Sequence, residues 1–188
     1  MLETERLILD PWQSSDWTAF RPIATDPEVM RYITGGVPWD DDTIRRFVER
    51  QVTRYREEGY CRWKLVDKQS AQMVGFCGLG IWRDNPNLEI GWWLARQAWG
   101  RGLATEAARA ALHDIFARVQ PAHVISVAQP ANAASIRVMQ KIGLELVREF
   151  ESEGMRLVEY GITREQYEAR LAPTGPPAST GSPRTPAA

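Results

Sequence analysis

Hydrophobic and polar residues follow two different rhythms along this chain of 188 residues. Stretches in which the two kinds alternate are typical of β-strands, whereas hydrophobic residues that recur every three or four positions are typical of amphipathic helices. The pattern predicts a strand at residues 5–12, then helices at about 16–33 and 40–58. Asp26-Pro27 interrupts the first of these helices, and a glycine ends the second.

Strands dominate the middle of the chain. Three hydrophobic runs, YCRWKLV, MVGFCGLGIW and LEIGWWLA, are separated by the turn sequences DKQSAQ and RDNPN, and turns of this length join antiparallel neighbours. A helix over 103–119 and a strand over 123–129 follow, so the chain crosses over to a parallel strand. The pattern ends with a helix at 133–142, a hairpin at 144–163 and a short helix at 164–171. The predicted fold class is α/β (α+β), with a mixed, mostly antiparallel sheet.

Composition indicates one globular domain over residues 1–171. Hydrophobic residues make up 44% of the chain and charged residues 25%, as in ordinary globular proteins. Residues 172–188 contain almost only Pro, Ser, Thr, Gly and Ala, which bury too little apolar surface to offset the entropy of ordering. A disordered tail is therefore expected there, and ordering against a partner is the alternative.

Charge and hydropathy narrow the classes of function. A net charge of -1 and a pI near 6.2 give no basic surface for nucleic acid. No run approaches the roughly 18 apolar residues of a membrane helix, and the acidic N-terminus is unlike a signal peptide. A cytoplasmic protein without nucleic-acid or membrane partners is expected, and association as a homodimer stays open.

The two cysteines and two histidines do not suggest a metal site. Cys61 and Cys77 lie inside hydrophobic runs and are best explained as buried hydrophobic residues that a cytoplasmic protein keeps reduced. His113 falls on the polar face of its predicted helix, and His123 begins a strand. Their separation in sequence gives no metal-ligand spacing, so no metal cofactor is expected.

The candidate chemistry begins with the segment QAWGRGLA, which runs from Gln97 to Ala104. It lies between a predicted strand and a predicted helix, where free backbone N–H groups and the helix dipole favour an anion. Gly100 and Gly102 allow a tight turn and the close approach of a ligand. A Gly-Lys-Ser/Thr ending and the third glycine of a dinucleotide fingerprint are both missing, which disfavours ATP and NAD. The segment is therefore either a diphosphate-binding loop or an ordinary strand-to-helix turn.

Two sequence blocks together identify the loop more closely. The stretch EIGWWLARQAWGRGLATEAARAAL and the later stretch NAASIRVMQKIGL closely resemble the Gcn5-related N-acetyltransferase (GNAT) superfamily, and within it the ribosomal-protein-alanine acetyltransferase (RimJ/RimL-like) branch. The segments ETERLILDPW, DPEVMRYITGG and LVEYGITREQY also resemble that branch. The resemblance thus extends over about residues 3–171.

The resemblance implies a GNAT fold with a seven-stranded sheet, whose fourth and fifth strands run parallel and then splay apart to admit acetyl-CoA. Backbone amides of the loop would hold the pyrophosphate, the end of the preceding strand would pair with the pantetheine arm and the acetyl carbonyl, and an Asn would contact the cofactor. The residues that match these roles are Gln97, Gly100, Arg101, Gly102, Leu103 and Ala104 for the pyrophosphate, Trp92, Trp93 and Leu94 for the arm, and Asn132.

The same resemblance implies direct attack of a primary amine on the thioester through a tetrahedral intermediate. An alkyl amine with a pKa of about 10.4, or about 8 at a chain N-terminus, must first lose a proton. Glu89, in the strand before the loop, is the candidate general base, and a cross-strand charge partner is its alternative role. A backbone N–H near Trp92 or Trp93 is the candidate oxyanion donor.

The departing thiolate also needs a proton donor. Many members of the superfamily use a Tyr seven residues after the Asn, but this chain has Met139 there. The RimJ/RimL-like branch commonly offers a hydroxyl three residues after the Asn, which is Ser135 here. Ser135 is thus the candidate proton donor, and hydrogen bonding at the helix N-terminus is its alternative role. Trp99, within the loop, is expected to pack in the core rather than flank the cofactor.

The acceptor amine is expected to be a protein N-terminus or a small molecule, and the sequence does not choose between them. Residues 34–39, the two N-terminal helices and the last hairpin are the expected recognition elements. The run Asp40 to Asp42 is explained by helix capping, with attraction of a cationic acceptor as the alternative. A second class of function, a non-catalytic acyl-CoA-binding sensor, stays open because Met139 takes the place of the usual proton donor.

Overall fold

The structure, a computed structural model, describes residues 1–82, 85 and 87–171. The strands in this part of the chain are β1 (Leu2–Glu3), β2 (Leu7–Asp10), β3 (Arg62–Asp67), β4 (Met73–Ile81), β5 (Leu88–Leu94), β6 (His123–Ala128), β7 (Glu145–Ser152) and β8 (Met155–Thr163). The helices are α1 (Trp17–Ala24), α2 (Pro27–Met30), α3 (Asp41–Glu58), α4 (Leu103–Arg118), α5 (Ala133–Lys141) and α6 (Arg164–Leu171).

All of these strands form one sheet in the order β1-β2-β3-β4-β5-β6-β8-β7. Neighbouring strands are antiparallel except β5 and β6, which run parallel. Two residue pairs, Leu88 with Val124 and Glu89 with Ile125, join β5 to β6. Beyond Glu89, β5 continues to Leu94 while paired with β4, so the sheet opens into a gap. The predicted mixed sheet with a splayed parallel pair is confirmed.

The two central strands, β4 and β5, are covered on both faces. On one face, α1 and α3 pack through an aromatic cluster that includes Phe20, Phe47, Phe76 and Trp93. On the other face lies α4, which buries small and aliphatic side chains. These side chains are Ala107, Ala108, Ala111, Leu112 and Ile115. Packing on both sides holds the strands that border the gap in place.

Capping residues set the ends of α3. Asp40 precedes the helix, and its carboxylate accepts a hydrogen bond of 2.7 Å from the Thr43 backbone N–H. Hydrogen bonds from Thr43 hold the pKa of Asp40 below its ordinary value. Gly59 ends the helix in the left-handed conformation, with φ of 76°. The capping interpretation is thus confirmed for Asp40.

Two predicted elements differ from the structure. Within the described residues, the sheet has eight strands rather than seven, because β1 adds a strand that pairs with β2 over only two residues. A strand this short gives no periodic signal, and its presence makes the splayed pair the fifth and sixth strands. The first predicted helix is divided into α1 and α2, and α2 ends at Met30 rather than near residue 33.

Other predictions concern membranes, metals and the tail. Across the described ranges, every helix is too short or too polar to span a membrane. The same residues contain no cluster of three or more His, Cys, Asp and Glu side chains that could hold a metal ion. His113 is exposed, and its Nδ1 lies 2.9 Å from the hydroxyl of Tyr167. The tail predicted at 172–188, and residues 83, 84 and 86 of the predicted RDNPN turn, lie outside the described residues.

The two cysteines are expected to be unreactive in the folded protein. Cys61 and Cys77 are fully buried, and burial raises the pKa of Cys61 to about 12 and also raises that of Cys77. Thiol reagents attack the thiolate, so titration with dithionitrobenzoate near pH 8 should detect no thiol in the native protein and both thiols after unfolding in guanidinium. A native thiol that reacts within minutes would contradict this expectation.

Candidate functional site

A cleft of about 750 Å³ opens where β5 and β6 diverge. Its walls come from the ends of these strands, the loop before α4, the start of α5 and residues 28–33. Most of the candidate residues from the sequence converge on this cleft. They are Glu89, Trp92, Trp93, Leu94, Gly100, Gly102, Leu103, Ala104, Asn132 and Ser135.

Two candidate residues, Gln97 and Arg101, do not line the cleft. Gln97 is exposed in the short 3₁₀ turn before the loop. The guanidinium of Arg101 turns away and lies 2.9 Å from the carboxylate of Asp67. A role for these two residues in holding a pyrophosphate depends on their backbone amides alone and stays a prediction.

The loop before α4 has the backbone of an anion site. Gly100 and Gly102 adopt left-handed φ angles of 71° and 78°, and Gly102 immediately precedes the helix. The unpaired N–H groups of the first helical turn therefore belong to residues that line the cleft. A Cβ atom at Gly100 would meet no protein atom within 4 Å, which leaves room for a ligand beside the backbone. Together with the helix dipole, this geometry favours a phosphate group.

Hydrogen bonds anchor this loop to the N-terminal segment. The guanidinium of Arg6 donates to the carbonyl of Arg101 at 2.8 Å and pairs with Glu106, in the first turn of α4, at 2.6 Å. The hydroxyl of Thr4 donates to the same carboxylate at 2.6 Å. Burial alone would raise the pKa of Glu106, but the hydrogen bonds from Thr4 and Arg6 outweigh burial and hold it below its ordinary value. The negative charge of Glu106 is thus compensated beside the anion site.

Glu89 lies where β5 and β6 separate, with only 7% of its surface exposed. It pairs with the guanidinium of Arg62 on β3, and both side chains line the cleft. Burial raises the pKa of Glu89, while the charge and hydrogen bond of Arg62 and a hydrogen bond from the Val127 backbone oppose that rise. Glu89 is therefore a charge partner across the sheet and also a buried carboxylate that can accept a proton from a ligand.

β5 offers backbone groups to the cleft. Beyond Glu89 it pairs with β4 and no longer with β6, so alternate N–H groups face the gap. The Trp93 ring packs against Trp39 and Phe76, with ring centroids 4.7 Å and 5.0 Å away. This packing fixes the stretch of backbone that was expected to supply an oxyanion donor near Trp92 or Trp93.

The start of α5 carries the second sequence block. Asn132 caps the helix, because its side-chain oxygen accepts a hydrogen bond of 3.2 Å from the Ser135 backbone N–H. The Ser135 hydroxyl makes no hydrogen bond to another residue in the described part of the chain. Met139 is buried and lines the same wall. The backbone of Ser135 therefore serves the cap, and its hydroxyl is available to a ligand.

Trp99 does not pack in the core, so that prediction is wrong. Its exposed fraction is 48%, and its indole N–H donates to the Leu94 carbonyl at 2.7 Å. The preceding residue, Ala98, points inward and is 1% exposed. Because the loop turns after Ala98, the Trp99 ring is held in the lining of the cleft instead.

Two cations on α5 line the cleft and were missing from the sequence candidates. Arg137 and Lys141 lie four residues apart on α5, are exposed and line the cleft. A spacing of four places two side chains on the same helix face. Two basic residues at this spacing, on the helix that Asn132 caps, were the feature of the sequence that could have predicted a basic edge of the cleft.

The opposite wall comes from residues 28–33 and from the last hairpin. Its exposed charges are Arg31 and Glu28, which lie 3.8 Å apart. Residues 34–39, expected to recognise an acceptor, do not line the cleft, because Trp39 packs into the aromatic cluster instead. The apolar members of this wall are Val29, Tyr32, Ile33, Met155 and Leu157.

Known proteins resemble this chain in sequence. A family model described as an acetyltransferase (GNAT) domain matches residues 6–145. The uncharacterized protein YkkB of Bacillus subtilis is 34% identical over 146 residues, which cover 76% of this chain and 84% of that protein. The uncharacterized N-acetyltransferase p20 of Bacillus licheniformis is 26% identical, with 88% and 97% covered.

Solved structures share the fold. A GNAT-family acetyltransferase from Bacillus anthracis superposes with a TM-score of 0.73 at 27% identity, covering 87% of this chain and 98% of that one. RimL, a ribosomal L7/L12 alpha-N-protein acetyltransferase in complex with coenzyme A, gives 0.72 at 16% identity, with 85% and 95% covered. The aminoglycoside acetyltransferase AAC(6')-Ib, also with coenzyme A, gives 0.70 at 16%, with 89% and 99% covered. The last two are alike in fold alone.

Proposed function

The chain belongs to the acetyltransferase (GNAT) domain family, and on that premise we propose that it transfers the acetyl group of acetyl-CoA to a primary amine. One observation carries the proposal: the loop at Gly100 and Gly102 places an anion-binding helix N-terminus beside the gap between β5 and β6. A ligand with a diphosphate and a narrow arm that contains amides fits both features at once.

The residues present fit coenzyme A. The backbone at Gly100 and Gly102 and the first turn of α4 would hold the pyrophosphate, and a Cβ atom at Gly100 would fill the space that the ligand needs. The gap-facing N–H groups of β5 would pair with the amides of the pantetheine arm. Arg137 and Lys141 add positive charge along the same cleft, which suits a ligand with several phosphates.

Bound acetyl-CoA supplies a thioester carbonyl with a thiolate as leaving group. Glu89 accepts a proton from the acceptor ammonium, because its carboxylate lines the cleft and burial raises its pKa above the ordinary value. Backbone N–H groups near Trp92 and Trp93 donate to the carbonyl oxygen as negative charge develops there. Ser135 lines the cleft, and its hydroxyl would pass a proton to the departing thiolate while it takes one from the nitrogen of the tetrahedral intermediate, which must lose that proton to become an amide.

The acceptor is an amine with few positive charges, such as a protein N-terminus or a small monoamine. Apart from Arg137 and Lys141 on α5, the charged residues that line the cleft in the described part of the chain are Glu28, Glu89, Arg31 and Arg62, two acidic and two basic. A polycation needs an acidic excess to compensate the desolvation of its charges. Among the structural neighbours, RimL is named for a protein N-terminal substrate and AAC(6')-Ib for aminoglycosides. The charge balance favours the first kind of substrate and, with it, the RimJ/RimL-like branch.

Incubation of the purified protein with acetyl-CoA and a panel of amines tests the proposal. The panel contains N-terminal peptides, monoamines and an aminoglycoside, and turnover is followed by release of the coenzyme A thiol and by product mass. The buried protein thiols should give little background. Turnover on a peptide or monoamine supports the proposal. Tight binding of acetyl-CoA without turnover on any acceptor favours the non-catalytic sensor, and failure to bind it contradicts the proposed function.

Arg6→Gln is expected to weaken coenzyme A binding about tenfold, or about 1.4 kcal/mol. The substitution removes the hydrogen bond to the Arg101 carbonyl and leaves the negative charge of Glu106 without its cation beside the pyrophosphate site. Calorimetric titration measures the Kd. Arg21→Gln, which breaks an exposed ion pair with Asp41, is the control and should bind like the wild type. Equal affinity in all three proteins would show that the loop does not depend on Arg6.

A further inference from the structure

Two glycines, Gly80 on β4 and Gly91 on β5, leave a bare patch in the middle of the sheet. Gly78 lies between Arg62 on β3 and Gly91 on β5, and Gly80 lies opposite Glu89. Directly opposed residues of a sheet point to the same face, so these residues share the face that carries the aromatic cluster. Because Gly80 and Gly91 have no side chains, a groove runs from Arg62 to Glu89.

The Arg62 side chain occupies this groove. A Cβ atom at Gly80 would lie 3.2 Å from its Nε and 3.3 Å from its Cζ, and one at Gly91 would lie 3.7 Å from the same Nε. The guanidinium therefore rests on the glycine backbone, and its Nη2 donates to Oε2 of Glu89. Its Nε is buried and has no hydrogen-bond partner within the described ranges. The side chain of Arg62 thus crosses β4 to reach a single carboxylate.

Other charged groups near this groove have partners of their own. Arg54, on α3, approaches Gly80 from the helix side and pairs with Glu58 at 3.6 Å. Across the cleft, Arg31 pairs with Glu28 at 3.8 Å. Arg62 is therefore the cation that compensates Glu89 directly.

The backbone contributes a smaller share of that compensation. Burial raises the pKa of Glu89, Arg62 opposes that rise most, and the Val127 N–H on β6 opposes it less. The Nη2 of Arg62 engages Oε2 of Glu89, which leaves Oε1 free of the guanidinium. Arg62 thus fixes one oxygen of a carboxylate that lines the cleft.

We propose that Arg62 is a positioning residue of the acetyl-transfer site, which holds the Glu89 carboxylate ionised and turned so that Oε1 meets the acceptor amine. This inference rests on the proposed function. In the step concerned, one N–H bond of the ammonium breaks, the proton bonds to Glu89, and the nitrogen keeps the electron pair with which it attacks the thioester carbonyl. Arg62 itself exchanges no proton.

Arg62→Gln tests the proposal with two readouts. In protein labelled with carbon-13 at the glutamate carboxyl groups, the titration midpoint of Glu89 should move to higher pH, because burial then acts without the opposing charge. The Glu89 signal is assigned by its loss in Glu89→Gln. In turnover assays, the acidic limb of kcat/KM should move in the same direction, with a loss of about tenfold near pH 6.5 and with KM for acetyl-CoA within about twofold.

Arg148→Gln is the matched control. Arg148 pairs at 2.8 Å with Glu159, a buried carboxylate of the same sheet that does not line the cleft. Its substitution should change neither the midpoint of Glu89 nor the pH profile. Arg62→Lys keeps the positive charge. Its Glu89 midpoint and its kcat/KM should therefore lie between those of the wild type and those of Arg62→Gln.

A further variant keeps the test decisive if Arg62→Gln does not fold. In Gly80→Ala, the new Cβ would lie 2.9 Å from Nη1 of Arg54 and 3.2 Å from Nε of Arg62, so both side chains must give way while every charge remains, and the Glu89 midpoint should again rise. An unchanged midpoint in the folded variants, or an equal shift in Arg148→Gln, overturns the positioning role. A wild-type protein without turnover contradicts the proposed function instead, while the titration of Glu89 still reports on Arg62.

Discussion

Glu89→Gln is expected to lower kcat/KM about 100-fold near pH 7, with KM for acetyl-CoA unchanged within about twofold. The amide keeps the shape of the carboxylate but cannot accept the proton of the acceptor ammonium. The deficit should shrink as pH approaches the pKa of the amine itself, about 8 for a chain N-terminus and about 10.4 for a lysine-like amine, because the acceptor then loses its proton to water. A pH–rate profile from thiol release measures both effects.

The control for Glu89→Gln must separate chemistry from folding. Removal of one partner from a buried ion pair destabilises a protein, because the other charge stays buried and unpaired. Glu159→Gln likewise removes a buried carboxylate from an ion pair outside the cleft lining, although its partner Arg148 is half exposed. Its activity should stay near that of the wild type, with unfolding temperatures measured for both variants. Full activity in a folded Glu89→Gln would leave Glu89 as a charge partner of Arg62 and nothing more.

The double variant Gly100→Ala and Gly102→Ala is expected to weaken coenzyme A binding about 100-fold, or about 2.8 kcal/mol. Alanine is strained by about 1 kcal/mol at each of the left-handed φ angles of 71° and 78°. The Cβ at position 100 also enters the space beside the backbone where no protein atom lies within 4 Å. Calorimetric titration with coenzyme A measures the loss directly.

Gly59→Ala is the control for backbone strain. Its φ of 76° matches those of the loop, and its Cβ would meet only Arg118, at 3.8 Å, away from the cleft lining. This variant strains one position rather than two, so it should lose about half as much stability as the double variant and keep its affinity for coenzyme A. If the double variant binds as tightly as the wild type, the pyrophosphate is not held at this loop, and the proposed function loses its main support.

The cofactor side of the cleft was predictable because its signals are local in sequence. The strand that ends at Leu94, the two glycines and the helix that begins at Leu103 lie in one short segment. Each glycine adopts the backbone conformation that glycine alone tolerates easily. Asn132 likewise predicts the start of a helix, because Asn is a favoured N-cap residue and an amphipathic stretch follows it. Local propensity and the observed structure agree here.

The groove under Arg62 was not predictable, because it depends on strand register. In the sequence, Gly78, Gly80 and Gly91 are merely small residues within hydrophobic runs. Their alignment with Arg62 and Glu89 exists only once β3, β4 and β5 are paired. A register shift of one residue would send the arginine side chain to the opposite face of the sheet. Long-range pairing of this kind leaves no trace in the periodicity of a single strand.

The contacts of Arg6 with the cofactor loop and with Glu106 were not predicted, for the same reason. Arg6 lies between β1 and β2 and Glu106 lies on α4, so the two residues meet only after α4 has packed against the sheet. Each residue is an ordinary surface charge in the sequence. Trp99 was misplaced because a hydrophobic residue in a turn gives no indication of which side of the turn faces the core.

The gap between β5 and β6 divides the sheet into two parts. Among the described residues, the strands from β1 to β5 are joined to the other three by the pairs Leu88 with Val124 and Glu89 with Ile125. The pantetheine arm of a bound coenzyme A would lie between β5 and β6 where the two strands are not paired. Its binding free energy would then stabilise the folded state. The resistance of the sheet to proteolysis should therefore increase with the concentration of the cofactor. In this sense the acetyl donor would also be a structural component of the protein.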